Sequence, residues 1–184
     1  MRIVSGKFRG RNLKAPSSNA IRPTSDRLRE AIFNILLHAY ADPITGARVL
    51  DLFAGTGALG LEAMSRGAEY ALFVEETAEA RALIRVNVET LALTGATKIF
   101  RRDAAKLGDM GPMQPFDLVF CDPPYGQGLA EKSLVSARDG KWLAPSALVV
   151  VEEAVKAEFK TPGGFDELER RAYDDTAIII ARAS

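Results

Sequence analysis

The sequence is poor in the residues that most often carry covalent or metal chemistry. It has one cysteine, Cys121, so no internal disulfide is possible and a reducing compartment suits it. Cys121 is read as a small packing residue. The one histidine, His38, falls late in a helical pattern with no acid at triad spacing, and is read as a surface residue. No Cys/His cluster argues for a metal, so none is expected. The single tryptophan, Trp142, is read as packing. No run approaches ~20 uninterrupted apolar residues, so no membrane span is expected. The opening stretch MRIVSGKFRGRNLK is basic and broken by glycine, and lacks the apolar centre of a signal peptide. A cytoplasmic, monomeric protein is the expectation. Net charge is missing too: 24 Lys and Arg balance 24 Asp and Glu.

That balance hides an uneven distribution. Residues 1–29 hold Arg2, Lys7, Arg9, Arg11, Lys14, Arg22, Arg27 and Arg29 against one acid, Asp26. A basic end of this kind is either a solvated tail or a phosphate-contacting surface. The length of 184 residues, 47% hydrophobic, fits one globular unit. Residues 1–20 read as a small basic β-hairpin extension, RIVSGKFRGRNLKAP giving two short strands around a glycine turn, and residues 21–184 as the main domain.

Within that domain, Thr24 or Ser25 caps a helix over DRLREAIFNILLHAY, with Leu28, Ala31, Ile32, Ile35 and Leu36 on one face. Strands over ARVLDLF, YALFVEE, TKIFRRD, FDLVFCD and SALVVVEE then alternate with helices over GALGLEAMSRG, TAEARALIRVNVETLALTG and residues 128–139. The tail ELERRAYDDTAIIIARA reads as two strands around an Asp-Asp turn, adding an antiparallel edge. Alternation predicts an α/β fold, a parallel sheet covered on both faces.

Two constellations fall at strand carboxyl ends. In VLDLFAGTGALG, Gly55, Gly57 and Gly60 follow the first strand and open a helix, and Glu75 ends the second strand. Glycines let backbone approach a ligand, and an acid one strand over accepts ribose hydroxyls, so an adenosine-containing cofactor is expected. Asp51 just before the loop is badly placed for a pyrophosphate and suits the ammonium of S-adenosylmethionine, or a water serving it. Asp103 after the third strand either accepts from an adenine amino group or caps the AAKL turn. Arg85 and Asn87 edge the pocket or simply lie on a helix face.

The second constellation is Asp122-Pro123-Pro124-Tyr125 after the fourth strand. Taken alone it is either a rigid surface turn or a site. Proline lacks an N–H and fixes φ, which stiffens the corner and aims the Pro123 carbonyl. With the Asp122 carboxylate, that makes two acceptors for the two donors of an exocyclic –NH2. Tyr125 offers a face on which a flipped-out base stacks. Holding both N–H groups directs the nitrogen lone pair at a methyl donor, and the carboxylate offsets the charge that develops. Asp122 takes the proton, or water does.

DLFAGTGALGLEAMSRGA, FVEE and DPPYG resemble the class I S-adenosylmethionine-dependent methyltransferases that act on amino groups. RIVSGKFRGRNLKAP and RPTSDRLREAIFNIL narrow the resemblance to bacterial small-subunit rRNA guanine-N2 methyltransferases of the RsmD type. It covers nearly the whole chain. Ser5, where glycine is more usual, and residues 15–20 depart from the pattern. The resemblance implies a Rossmann-like, seven-stranded, mostly parallel sheet. It also implies methylation of one guanine N2 of 16S rRNA on a partly assembled 30S subunit. The implied cofactor site comprises Asp51, Phe53, Ala54, Gly55, Thr56, Gly57, Glu75, Asp103 and Ala104, and the catalytic residues are Asp122 to Tyr125. Lys7, Arg9, Arg11, Arg22 and Arg27 become expected phosphate contacts. Three alternatives stand beside this: transfer to DNA adenine N6 or a protein glutamine, a nucleotide-dependent dehydrogenase, and a non-enzymatic RNA-binding assembly factor.

Overall fold

The computed structural model describes residues 1–21 and 23–184; Arg22, expected among the phosphate contacts, lies outside the described residues. Seven strands form one sheet: β1 (Arg48–Leu52), β2 (Tyr70–Val74), β3 (Thr97–Phe100), β4 (Phe116–Cys121), β5 (Leu143–Ala154), β6 (Phe165–Tyr173) and β7 (Thr176–Ala183). Their order is β3-β2-β1-β4-β5-β7-β6. The first five strands pair in parallel, and β7 runs antiparallel to both β5 and β6. This is the expected α/β sheet with its antiparallel edge. The chain moves from β1 outward to β3, then returns to lay β4 against the other side of β1. That reversal opens a crevice at the carboxyl ends of β1 and β4.

Side chains alternate across the sheet and build two cores. Val49, Phe73, Phe120, Val150 and Ile178 face helices α1 (Asp26–Ala39), α2 (Ala58–Ser65) and α3 (Ala78–Thr90). Leu50, Val74, Val119, Val151 and Ile179 face α4 (Leu129–Asp139), Leu107 and the fully buried Trp142. Ser25 caps α1 by accepting from the Leu28 N–H at 3.1 Å. The face α1 buries differs from the expected one: Leu28 and Ala31 are only half-buried, and Arg29 and Phe33 are buried instead. Arg29 is fully buried alongside Ile32, Phe33, Ile35 and Leu36.

The N-terminal arm differs more. Of the two expected strands only one antiparallel bridge forms, Arg2 with Asn12. Three backbone bonds still cross the arm, from Ile3 N–H to the Arg11 carbonyl, Gly10 N–H to the Ile3 carbonyl and Leu13 N–H to the Met1 carbonyl, each 2.9 Å, while other donors go to α2. Val4 and Ser5 N–H donate to the Glu62 carboxylate at 2.8 and 3.0 Å. Lys7 N–H donates to the Ser65 carbonyl at 2.7 Å, and Phe8 N–H to Ser65 Oγ at 2.9 Å. Gly6 makes this contact possible, since it has φ +86° and a Cβ there would stand 2.1 Å from the Ser65 carbonyl oxygen. Ile3 and Leu13 anchor the arm in the core.

Candidate active site

The loop after β1 is shaped by acids from neighbouring strands. Glu75 accepts from Gly55 N–H at 2.8 Å through one oxygen. Its other oxygen accepts from Thr77 N–H at 3.1 Å and Oγ1 at 3.2 Å. Each carboxylate oxygen has two lone pairs, so these bonds leave capacity for a ligand hydroxyl. Phe53 and Gly55 hold left-handed φ values of 56° and 58°. For a phenylalanine this is an uncommon conformation, of the kind that clusters at ligand sites. Gly60 serves packing: a Cβ there would meet the Phe73 ring at 2.5 Å, so α2 sits close on the sheet only with glycine.

Asp51 is placed beneath this loop. It is 1% exposed and accepts from Gly60 N–H at 3.0 Å. Burial pushes its carboxyl up to about 8; the Gly60 bond opposes the shift and the nearby Glu75 charge adds to it. A carboxyl held so far from its ordinary value favours a cationic neighbour.

Phe53, Gly55, Val74, Glu75, Asp103, Ala104, Asp122, Pro123, Pro124 and Tyr125 line one cavity of about 490 Å³, within the range of small-molecule sites. The structure thus brings both constellations to one place. Asp51, Ala54, Thr56 and Gly57, expected in the cofactor site, are buried and are not among the residues that line the cavity. Asp103 caps the turn Ala104–Lys106 by accepting from Ala105 N–H at 2.9 Å, and it also borders the cavity. Asn87 is buried rather than at the pocket edge: it donates to the Thr56 carbonyl at 3.0 Å and accepts from Lys14 N–H at 2.7 Å. Arg85 is exposed. A lining that holds the acids Glu75, Asp103 and Asp122 and the apolar Ile21, Val74 and Ala104 matches an adenosine with ribose hydroxyls and an amino group; the residue set fits S-adenosylmethionine.

The corner after β4 is held by residues that sequence reasoning missed. Tyr125 Oη donates to Glu152 Oε1 and lies 3.4 Å from Thr176 Oγ1. Burial and then the Glu152 carboxylate raise the Tyr125 phenol above its ordinary value, so it stays protonated at neutral pH. Glu153, 1% exposed, accepts from Gly126 N–H at 3.0 Å. Thr24 donates to Asp122 Oδ2 at 3.1 Å. The acid pair had a signal: Glu152-Glu153 ends an apolar strand as Glu75 and Asp103 follow theirs. Thr24 had none, standing 98 residues from its partner. Cys121 is buried against Ser133 Oγ at 3.2 Å, and burial pushes its thiol up to about 12, which fits packing.

Lys7, Arg9, Arg11 and Arg27 are exposed. Arg11 also donates to the Thr90 carbonyl at 2.7 Å. Arg29, counted in the basic end, is withdrawn from that surface into ion pairs with Asp26 at 2.8 Å and Glu62 at 3.3 Å.

Among curated proteins, the Escherichia coli K12 ribosomal RNA small subunit methyltransferase D is 42% identical over 157 residues, 85% of this chain and 76% of that protein. The protein of the same name from Haemophilus influenzae is 34% identical over 99% of this chain and 92% of its own. The solved Escherichia coli protein yhhF superposes with a TM-score of 0.83 at 34% identity, covering 100% of this chain and 98% of that one. A Thermus thermophilus 16S rRNA N2 methyltransferase, RsmC, solved with AdoMet and guanosine, shares the fold at TM-score 0.65 and 22% identity, covering 91% of this chain and 45% of that one. The family model described as Conserved hypothetical protein 95 matches residues 1–182. Fold, site and kinship agree, and the chain belongs to that family, the RsmD-type rRNA methyltransferases.

Proposed function

We propose that this protein methylates the exocyclic N2 amine of a guanine in 16S rRNA, on a partly assembled 30S subunit, with S-adenosylmethionine as donor. The observation that carries this reading is the single cavity into which Glu75, Asp103 and the Asp122–Tyr125 corner all open. S-adenosylmethionine supplies a methyl on a positively charged sulfur. Everything else falls to the chain. Glu75 and Asp103 take the ribose and adenine ends, with Phe53, Ala54 and Ala104 flanking, while Asp51 and the Gly55–Gly57 loop favour the cationic end. Asp122 and the Pro123 carbonyl hold the two N–H groups of the target amine, which fixes the direction of its lone pair. The Asp122 carboxylate also stabilises the charge that nitrogen acquires. Tyr125 stays protonated and offers its ring as a stacking platform, its hydroxyl end tied to Glu152.

A guanine inside a duplex cannot reach a cavity of this kind, so the target is flipped out or sits in an irregular region. Residues 1–20 serve the catalytic unit 21–184 as an RNA-contacting extension. Lys7, Arg9, Arg11 and Arg27, with Arg22, contact phosphates, and folded rRNA shape supplies specificity. The test is methyl incorporation from labelled S-adenosylmethionine into small-subunit particles, naked rRNA and duplex DNA, followed by mass mapping of the product. Label at guanine N2 of particle rRNA is expected. Transfer to DNA with none to particles overturns the substrate. Among the described residues no helix is long and apolar enough to cross a membrane.

A further inference from the structure

Thr24 stands where the N-terminal region meets the reacting centre. It is 9% exposed, immediately precedes the Ser25 cap of α1, and borders the cavity. Its hydroxyl donates to Asp122 Oδ2 at 3.1 Å. Its carbonyl accepts from Arg29 Nη1 at 3.2 Å. Arg29 is fully buried and held in turn by Asp26 and Glu62. The hydroxyl is therefore carried on backbone bonded to a buried guanidinium that Glu62 and the half-exposed Asp26 keep in place, and the β-branched side chain adds its own χ1 restriction.

The terminal torsion of an aspartate is broad and roughly two-fold, so a carboxylate on a turn does not hold its plane unaided. Directing an amine lone pair requires that plane to be fixed, because small misplacements of a reacting group cost rate steeply. We propose that Thr24 is a positioning residue for methyl transfer, its hydroxyl helping to set the plane of the Asp122 carboxylate. This rests on the reading of Asp122 as the acceptor for the target amine. It assigns a role in turnover to the threonine of RPTSD, which sequence reasoning treated only as a helix cap. The Thr24 hydroxyl acts on the rate through Asp122.

The test compares Thr24→Val, which keeps shape and loses the donor, with Thr24→Ser, which keeps the donor. Single-turnover rates are measured at saturating S-adenosylmethionine and small-subunit particles, alongside S-adenosylmethionine affinity by calorimetry and the concentration dependence on particles. Thr24→Val is expected to slow turnover ~10–100-fold, the worth of one hydrogen bond to a charged group, with both affinities within ~2-fold of wild type. Thr24→Ser restores the rate to within ~3-fold. On an Asp122→Ala background, Thr24→Val changes the residual rate by less than ~2-fold. Should Thr24→Val fail to fold, Thr24→Ala takes its place with the same expected loss. A wild-type rate without the donor, a loss confined to affinity, or no recovery with serine overturns the Thr24 assignment alone. A wild-type rate for Asp122→Ala overturns instead the reading of the site.

Discussion

Replacing Glu62 tests how far a buried ion lattice, beyond the arm's own cross-arm bonds, holds the basic arm in place. Glu62 and Arg29 side chains are both 0% exposed. The Glu62 carboxylate accepts from Arg29 Nε at 3.3 Å, Arg66 Nε at 2.9 Å, Val4 N–H at 2.8 Å and Ser5 N–H at 3.0 Å. Glu62→Leu removes all four acceptor contacts and leaves Arg29 with Asp26 as its remaining carboxylate. Breaking a buried pair on one side costs ~3–5 kcal/mol. The two orphaned N–H groups belong to the same event and are not added separately. Against a typical total of ~5–15 kcal/mol, the loss is about a fifth or more. Asp139→Ala is the control, because its pair with Arg138 is 38% and 64% exposed and such pairs contribute less than ~1 kcal/mol. The double replacement Arg29→Met with Glu62→Leu removes the uncompensated charge and regains most of the stability. It does not restore acceptors for Val4 and Ser5, so the arm stays loose and affinity for rRNA stays low. Urea denaturation gives the first quantity; protease nicking between Lys7 and Lys14 and binding to rRNA give the second. A Glu62→Leu protein within ~1 kcal/mol of wild type, or a double variant with full rRNA affinity, refutes the reasoning.

Three further outcomes follow from the same geometry. Gly60→Ala forces a Cβ to 2.5 Å from the Phe73 ring, and the overpacked α2 lowers stability by ~1–3 kcal/mol and weakens S-adenosylmethionine binding, read by denaturation and calorimetry; unchanged values refute the close-packing role. Burial raises the Asp51 carboxyl from 3.8 to about 8, so the native state binds a proton that the unfolded chain has lost. Its contribution is fully present below about pH 4 and is lost as pH rises through about 8. Asp51→Asn therefore flattens the decline of urea stability across that window, and an identical decline in both proteins refutes the assignment. Glu153→Ala frees Gly126 N–H and loosens the corner, lowering kcat by ~10-fold with S-adenosylmethionine affinity kept; a matching loss of affinity places Glu153 in cofactor binding instead.

Much of the site was legible because its signals are local. Apolar runs ending in Asp51, Glu75, Asp103 and Asp122 mark parallel strands, and parallel strands deliver their carboxyl ends to one edge. Four acids that are far apart along the chain are therefore neighbours by topology, and the cavity bears this out for Glu75, Asp103 and Asp122. The same logic, carried one strand further, reaches Glu152 and Glu153, whose carboxylates turn back to hold Tyr125 and Gly126.

What stayed hidden are the partners chosen only once helices pack. Nothing in the sequence marks Arg29 or Glu62 as buried, because a charged residue on an amphipathic helix normally faces water. They meet only because α1 and α2 lie on the same face of the sheet, at a point where the arm's N–H groups also need acceptors. The same event decides the arm. RIVSGKFRGRNLK has the composition of a hairpin, but strand composition records only fitness for a pleated surface, not who supplies the ladder. Here Glu62 and Ser65 supply acceptors for the donors from Val4 to Phe8, and the arm keeps one bridge and three cross-arm backbone bonds. A basic segment so tied is a fixed part of the surface beside the crevice. Through Arg29 and Thr24 it is joined by hydrogen bonds to Asp122, so the residues expected to meet phosphate and the residue expected to meet the amine share one buried support.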